Sequence, residues 1–194
     1  ENAFNPESAK EILAKAGYKD VDGDGFVEKP DGSKLELNFV IYTSREELKV
    51  YAQAAQAILK DVGINVNLKT VSYETLLDMR DSGNFDLLIW NVLAANTGDP
   101  EKYLYENWDS SSASNQAGYK NEKVDELLDK LNVEFDSEKR KDLAIEIQQL
   151  IMNDAATVFF GYETTFLYSN KKVQNVKMFP MDYYWLTKDV TVSE

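Results

Sequence analysis

The sequence predicts an α/β protein with a mostly parallel central sheet plus antiparallel strands near the C-terminus. Three observations carry this. Stretches of strand character at 35–42, 64–71 and 85–92 alternate with helical stretches at 45–62 and 73–80. Strands separated in this way by helices are joined by right-handed crossovers and lie parallel. Farther on, Thr157 to Ser169 reads as an aromatic-rich strand or strand pair, and Lys171-Lys172 turns into Val173 to Lys177, which supplies the antiparallel part.

Each element has a local cause. Asn5-Pro6-Glu7 opens a helix with proline at its first position, where an N–H would lack a partner anyway, and Ala9, Ile12, Leu13 and Ala16 recur at helical spacing until Gly17. Asp20 to Gly25 and Lys29 to Gly32 are turn sequences around Phe26-Val27-Glu28. Leu35, Leu37, Phe39 and Ile41 alternate, giving a strand with one strongly apolar face. Ser44 is the predicted cap of the next helix, whose stripe of Leu48, Tyr51, Ala52, Ala55, Ile58, Leu59 and Val62 should face the core. Gly63 ends it, and a strand over 64–71 leads to a short helix from Tyr73 to Arg80, closed by Ser82-Gly83. Phe85 to Val92 is nearly continuously apolar, the pattern of a strand buried on both faces. After a loop at Asn96 to Pro100 come a short helix over 101–108 and a Ser- and Asn-rich loop over 109–118. Two further helices follow Asn121 and Asp136, burying Val124, Leu127, Leu128 and Leu131, then Leu143, Ala144, Ile147, Leu150 and Ile151.

Composition narrows the function. The 194 residues, 43% of them hydrophobic, suffice for one domain or one large lobe. With 21 Lys and Arg against 34 Asp and Glu, the formal charge of −13 repels phosphate backbones and argues against nucleic acid. The absence of Cys and His removes thiol nucleophiles, disulfides, zinc ribbons, Ser-His-Asp triads and HExxH sites. No enzyme activity is expected. No stretch approaches the roughly 20 apolar residues that span a bilayer. The opening Glu1-Asn2-Ala3-Phe4 lacks a start Met and a signal-like region, as expected of a processed protein or an excised piece.

Six segments in order resemble the C-terminal half of family 5 extracellular solute-binding proteins, the peptide- and nickel-type receptors of ABC importers. They are Pro6 to Tyr18, Asp22-Gly-Asp-Gly25, Ala57 to Ile64, Phe85-Asp86 with its apolar run, Gly118-Tyr-Lys-Asn121 with Val124 to Leu128, and Asp136-Ser-Glu-Lys-Arg140. The resemblance implies a periplasmic-binding-protein-like lobe, lobe II of a bilobal receptor, over residues 1–177, with residues 178–194 returning toward an N-terminal lobe absent from this chain. It further implies capture of an oligopeptide or metal chelate between the lobes and delivery to the transmembrane subunits of an ABC permease. No cofactor is required. The receptor would be extracytoplasmic, either periplasmic or lipid-anchored at the outer face of the cytoplasmic membrane.

In open parallel sheets, ligands sit beyond the carboxyl ends of the strands. Those ends are Tyr42-Thr43-Ser44, Val71-Ser72-Tyr73 and the stretch from Asn91 to Pro100, two of them leading into helix N-termini. The expected ligand-binding residues are Thr43, Ser44, Trp90, Asn91, Asn96, Thr97 and Asp99, with Tyr103 and Tyr119 as aromatic contacts. In peptide-binding members the segment after the Phe-Asp strand tends to read Trp-x-Ala-Asp-Tyr-Pro-Asp-Pro, its first Asp pairing with the peptide amine. Here that place falls on Ala95 or Asn96, so the carboxylate is lacking unless Asp99 substitutes, and Thr97-Gly-Asp-Pro100 looks more like the nickel-type branch. Two plainer readings stand beside this: Asp99-Pro100 starts the next helix, and the tyrosines pack under a long loop.

Asp20, Asp22, Asp24 and Gly25 match the first half of a calcium loop, with Phe26, Glu28 and Asp31 at later ligand positions. Yet the last position is Asp rather than Glu, and a strand follows instead of a helix, so a structural turn is the alternative. Three functional readings remain in competition: a solute-receptor lobe, a carboxylate-dependent hydrolase, and a protein-interaction module using the apolar and aromatic run Met178 to Trp185.

Overall fold

The computed structural model describes residues 3–94, 98–162, 164, 166–178 and 187–193. In chain order the elements are α1 (Pro6–Lys15), β1 (Glu36–Tyr42), α2 (Glu46–Asp61), β2 (Asn65–Val71), α3 (Tyr73–Asp81), β3 (Leu87–Leu88), α4 (Glu101–Trp108), α5 (Glu122–Val133), α6 (Ser137–Asn153), β4 (Val173–Gln174) and β5 (Thr191–Val192). The expected α/β class is observed: β1, β2 and β3 are parallel in the order β2-β1-β3, and β4 and β5 pair antiparallel.

The central strand is β1, paired with β2 along its whole length and with β3 through Phe39–Leu87 and Val40–Leu88. Successive side chains on a strand point to opposite faces. Phe39, Val40, Ile41 and Tyr42 are nevertheless all buried, so both faces of β1 are covered. Right-handed crossovers from β1 to β2 and from β2 back past β1 to β3 put α2 and α3 on opposite faces. From α2 come Leu48 and Ala52, and from α3 comes Leu76.

This arrangement corrects three expectations. The strand buried on both faces is β1, not 85–92. Only Leu87 and Leu88 of that run are strand, and both are half-buried at a sheet edge, although the backbone contact extends through Asp86 N to Asn38 O (3.2 Å) and Ile89 N to Val40 O (3.3 Å). Ser44 does not cap α2; Arg45 occupies that position without a side-chain hydrogen bond. Ile58, placed on the inner stripe of α2, is 45% exposed because the core side of the helix is set by Leu48, Ala52 and Val62.

Gly63 closes α2 at φ +83°, where a Cβ would come within 3.2 Å of Val27 Cγ1. That close approach lets the Val27 N–H donate to Gly63 O at 2.8 Å, which ties the Asp-rich turn to the end of the helix.

A second core forms among α4, α5 and α6. Leu104 and Trp108 meet Val124, Leu127, Leu128 and Leu131, together with Ala144, Ile147 and Ile151. Both helices start where expected: Asn121 accepts from the Lys123 and Val124 amides, and Asp136 accepts from those of Glu138 and Lys139. Just beyond α6, residues 157–162 have no ladder partner among the described residues. Phe159 lies against Trp108 at 6.2 Å while its neighbour Phe160 stacks on Tyr51 of α2 at 5.2 Å, so one short segment touches both cores.

The strand expected over 157–169 has no ladder partner among the described residues, and Val158, Tyr162, Phe166 and Tyr168 are exposed. A strand exists only where another strand satisfies its backbone groups. In the predicted tail, Met178 and 187–193 are described, and β5 within it pairs with β4; residues 179–186 and 194 lie outside the described residues.

Leu76 and Ile147 are fully buried, so truncating either to alanine is expected to cost about 2–5 kcal/mol in urea denaturation. Ile58→Ala, on the exposed side of α2, should stay within about 0.5 kcal/mol. A larger loss at Ile58 would show that this face is covered.

Candidate ligand-binding site at the strand carboxyl ends

With the order β2-β1-β3, the chain leaves β1 toward one side of the sheet and arrives at β3 on the other. In an open parallel sheet, this reversal of strand order makes the carboxyl ends of β1 and β3 the place where a ligand crevice is expected. Tyr42 ends β1, and Trp90 and Asn91 follow β3. The Tyr42 hydroxyl donates to Asn91 Oδ1 at 2.6 Å, closing the base of the crevice, and Asn91 Nδ2 faces Glu47 Oε1 at 3.4 Å.

Three rings converge there. Tyr42 meets Tyr73 edge-on at 5.4 Å, and Trp90 lies 5.9 Å from each, nearly parallel to Tyr73 at 24°. Arg80 follows Tyr73 by two helical turns and so shares its face of α3; its guanidinium lies 5.1 Å from the Trp90 ring centroid while pairing with Asp81 at 2.7 Å. Burial pushes the Tyr42 hydroxyl pKa up, against the opposing pull of nearby Arg45. Thr43 and Ser44 are exposed at the rim, the Thr43 N–H donating to Val71 O at 3.1 Å.

Of the expected ligand-binding residues, the fold thus gathers Thr43, Ser44, Trp90 and Asn91. Asn96 and Thr97 lie outside the described residues. Asp99 serves the architecture instead. Both its oxygens meet Arg140 (2.8 and 2.9 Å), and Oδ1 also accepts from the Glu101 N–H, which starts α4. The Arg140 guanidinium holds the Asp99 carboxyl below its ordinary range, more strongly than burial raises it.

Tyr103 packs on the α4–α6 core, and its burial pushes the hydroxyl pKa up. Tyr119 packs edge-on to Trp108 at 5.7 Å and donates to Asp154 Oδ2 at 2.7 Å, which Asn121 Nδ2 also reaches. Burial first, then that carboxylate, raises the Tyr119 hydroxyl to about 12. These two tyrosines follow the packing alternative. The residues that reading the sequence missed are Tyr42, Arg45, Glu47, Tyr73 and Arg80. Tyr42 and Tyr73 sit directly at predicted strand ends, which was signal enough; Arg80 needed the helix phase.

The Asp-rich turn is held by its own side chains. Asp20 accepts from the Gly23 and Gly25 amides, and Asp24 from that of Phe26. Carboxylate oxygens of Asp20, Asp22 and Glu28 lie within 4.8 Å of one another. The Lys34 ammonium contacts Asp22, reaches Asp24 at 2.6 Å, and is 2.9 Å from Glu28, whose side chain is 4% exposed. Those three carboxylates raise the Lys34 pKa well above its usual range. Asp31 stands apart, accepting from the Ser33 N–H and hydroxyl.

Residues 1–116 match the family described as bacterial extracellular solute-binding proteins, family 5 Middle. The chain belongs to this family. Among its relatives, the nickel-binding protein NikA of Staphylococcus aureus is 27% identical over 97% of this chain and 36% of its own length. Its structure in complex with Ni(L-His)2 superposes with a TM-score of 0.75, covering 97% of this chain and 38% of that one at 25% identity. The oligopeptide-binding protein AppA of Bacillus subtilis is 24% identical over 95% of this chain and 35% of its own. AppA bound to a nonapeptide gives a TM-score of 0.70 over 79% of this chain and 30% of that one, at 26% identity. A periplasmic oligopeptide-binding protein of Thermotoga maritima, bound to mannohexaose, gives 0.68 at 31% identity over 79% of this chain and 30% of its own. The chain therefore spans about a third of the length of the curated relatives it matches. Family 5 proteins are extracellular by description, and no helix among the described residues is long and apolar enough to cross a membrane.

Two measurements follow from these side chains. A carboxyl whose folded pKa is depressed adds stability above its ordinary value near 3.8 and loses it as pH falls through the folded value. The stability gap between wild type and Asp99→Asn should therefore shrink on acidification below about pH 4, modestly because the pair is part-exposed and screened. A gap that does not change with pH would mean that the Arg140 pair contributes nothing. A divalent ion bound by Asp20, Asp22 and Glu28 has to displace the Lys34 ammonium from Asp22 and Glu28, so Lys34→Met should show a larger calcium-induced rise in Tm than wild type. Equal shifts would put the ion elsewhere.

Proposed function

We propose that this chain forms one wall of a solute receptor serving an ABC importer. In this reading it holds an oligopeptide or a metal chelate at the carboxyl ends of β1 and β3 and passes it to the permease. The observation that carries the proposal is the aromatic and polar cluster of Tyr42, Tyr73, Trp90 and Asn91 at the point where the strand order reverses. Aromatic walls with a few oriented polar groups are the usual lining of small-molecule sites. The names of NikA and AppA supply the two solute classes.

The opposite wall would come from an N-terminal lobe outside this chain. The exposed side chains of Val158, Tyr162, Phe166 and Tyr168, which have no strand partner among the described residues, favour placing the return toward that lobe earlier than residue 178. Binding is preferred to carboxylate hydrolysis. Glycosidase-type chemistry needs two carboxylates flanking one bond, whereas at this crevice Glu47 is engaged by Asn91 and stands opposite Arg45, and Asp81 is paired with Arg80. The receptor would work outside the cytoplasmic membrane, free in a periplasm or held by a lipid anchor.

Calorimetry on the full-length receptor and on this 194-residue chain tests the reading. The receptor should bind nickel chelates or short peptides, and the chain alone should bind the same solute at least about 100-fold more weakly, because one wall is absent. Trp90→Ala in the receptor should weaken binding about tenfold or more. Equal affinity of chain and receptor would refute the two-wall arrangement.

A further inference from the structure

The segment that leaves β3 is held at both ends. At its start, Asn91 accepts the Tyr42 hydroxyl at 2.6 Å and faces Glu47 at 3.4 Å. At its far end, Gly98 turns the chain at φ +81°, a conformation that residues with a Cβ rarely adopt, and the ring of Pro100 holds φ at −78° where α4 begins. Between these two stands Asp99, with both carboxylate oxygens on the Arg140 guanidinium at 2.8 and 2.9 Å. The first anchor belongs to the sheet core. The second is carried by α6, which packs in the other core.

Neither helix start needs this guanidinium. Asp136 already caps α6, and the Glu101 N–H that opens α4 has its acceptor in Asp99 itself. Through Nη1, Arg140 satisfies the Leu131 and Glu134 carbonyls at 2.6 Å, which fixes the guanidinium plane against the end of α5. Its Nε and Nη2 then meet Asp99 as a two-point fork, which sets orientation as well as distance in a way that a lysine ammonium does not. A segment tied at both ends has less freedom to lose when a solute orders it, and so binds at a smaller entropic cost. Resting on the receptor reading above, we propose that Arg140 is a positioning residue for the solute: by holding Asp99 it fixes the far end of the segment leaving β3 and so raises the affinity of a crevice to which none of its own partners belongs.

Calorimetry and amide hydrogen exchange on the full-length receptor test this, with Ni(II)–L-histidine and the tripeptide Gly-Gly-Phe as probes. Asp99→Asn keeps the side-chain shape, spares the bonds of Arg140 to the α5 carbonyls and cuts the ion pair. It should weaken whichever probe binds by about fivefold or more. In the solute-free receptor it should speed exchange of the 91–99 amides by about tenfold and leave those of α5 unchanged. Arg140→Lys, which keeps the charge without the fork, should weaken the same probe similarly, and combining the two substitutions should add no further loss. Ile147→Val, in the core shared by α4, α5 and α6, should lower Tm yet keep wild-type affinity. Three results overturn the proposal and leave the receptor reading standing: an Asp99→Asn receptor with wild-type affinity or wild-type exchange at 91–99, an Ile147→Val receptor weakened as much as Asp99→Asn, or fully additive losses at 99 and 140. A folded wild-type receptor that binds neither probe defeats both.

Discussion

Everything near the candidate site depends on β1 lying between β2 and β3. A central parallel strand must be covered on both faces, and Phe39 to Tyr42 meet that demand with four consecutive buried side chains. The same order forces α2 and α3 onto opposite faces and sends the loops after β1 and β3 apart. The crevice is thus a consequence of strand order, not a feature added to the fold. Tyr42 serves both purposes: its ring completes the core, and its hydroxyl bonds Asn91 across the gap.

Arg140 plays the corresponding part in the helical half. From the first turn of α6 it reaches two carbonyls at the end of α5 and both oxygens of Asp99 before α4. One side chain therefore ties the start of α6 to the end of α5 and to the residue that opens α4. A guanidinium can do this because its donors are fixed in a plane and it stays charged at any physiological pH. The carboxylate of the Gly-Asp-Pro sequence, which resembles a ligand group in the bare sequence, is consumed by this architecture.

The two cores are bridged by Phe159 and Phe160, adjacent residues facing opposite ways on an extended segment. Chain that leaves the helical half touches the sheet half on its way, which gives a physical link between the crevice side of the lobe and any partner lobe that the segment reaches.

Helix positions and caps were legible in the sequence because they are local. Pro6 at the start of α1, Asn121 and Asp136 as caps, and the apolar stripes of α5 and α6 act within a turn or two of themselves. The parallel order of strand and helix was legible for the same reason, and with it the gathering of Thr43, Ser44, Trp90 and Asn91 at the strand carboxyl ends. What tertiary structure decided was partnership. The apolar content of 85–92 does not say that β1 takes the centre; a run of aromatics at 157–169 does not make a strand without a neighbour to pair with; and nothing near Asp99 or Lys34 announces that Arg140, 41 residues away, or three carboxylates of a turn will claim their charges. The sequence by itself determined which segments are helical and which are extended, because backbone propensity and side-chain period are short-range. Only the folded chain decided which charged and aromatic groups stay exposed at the strand ends, because that depends on which distant residues have already satisfied them.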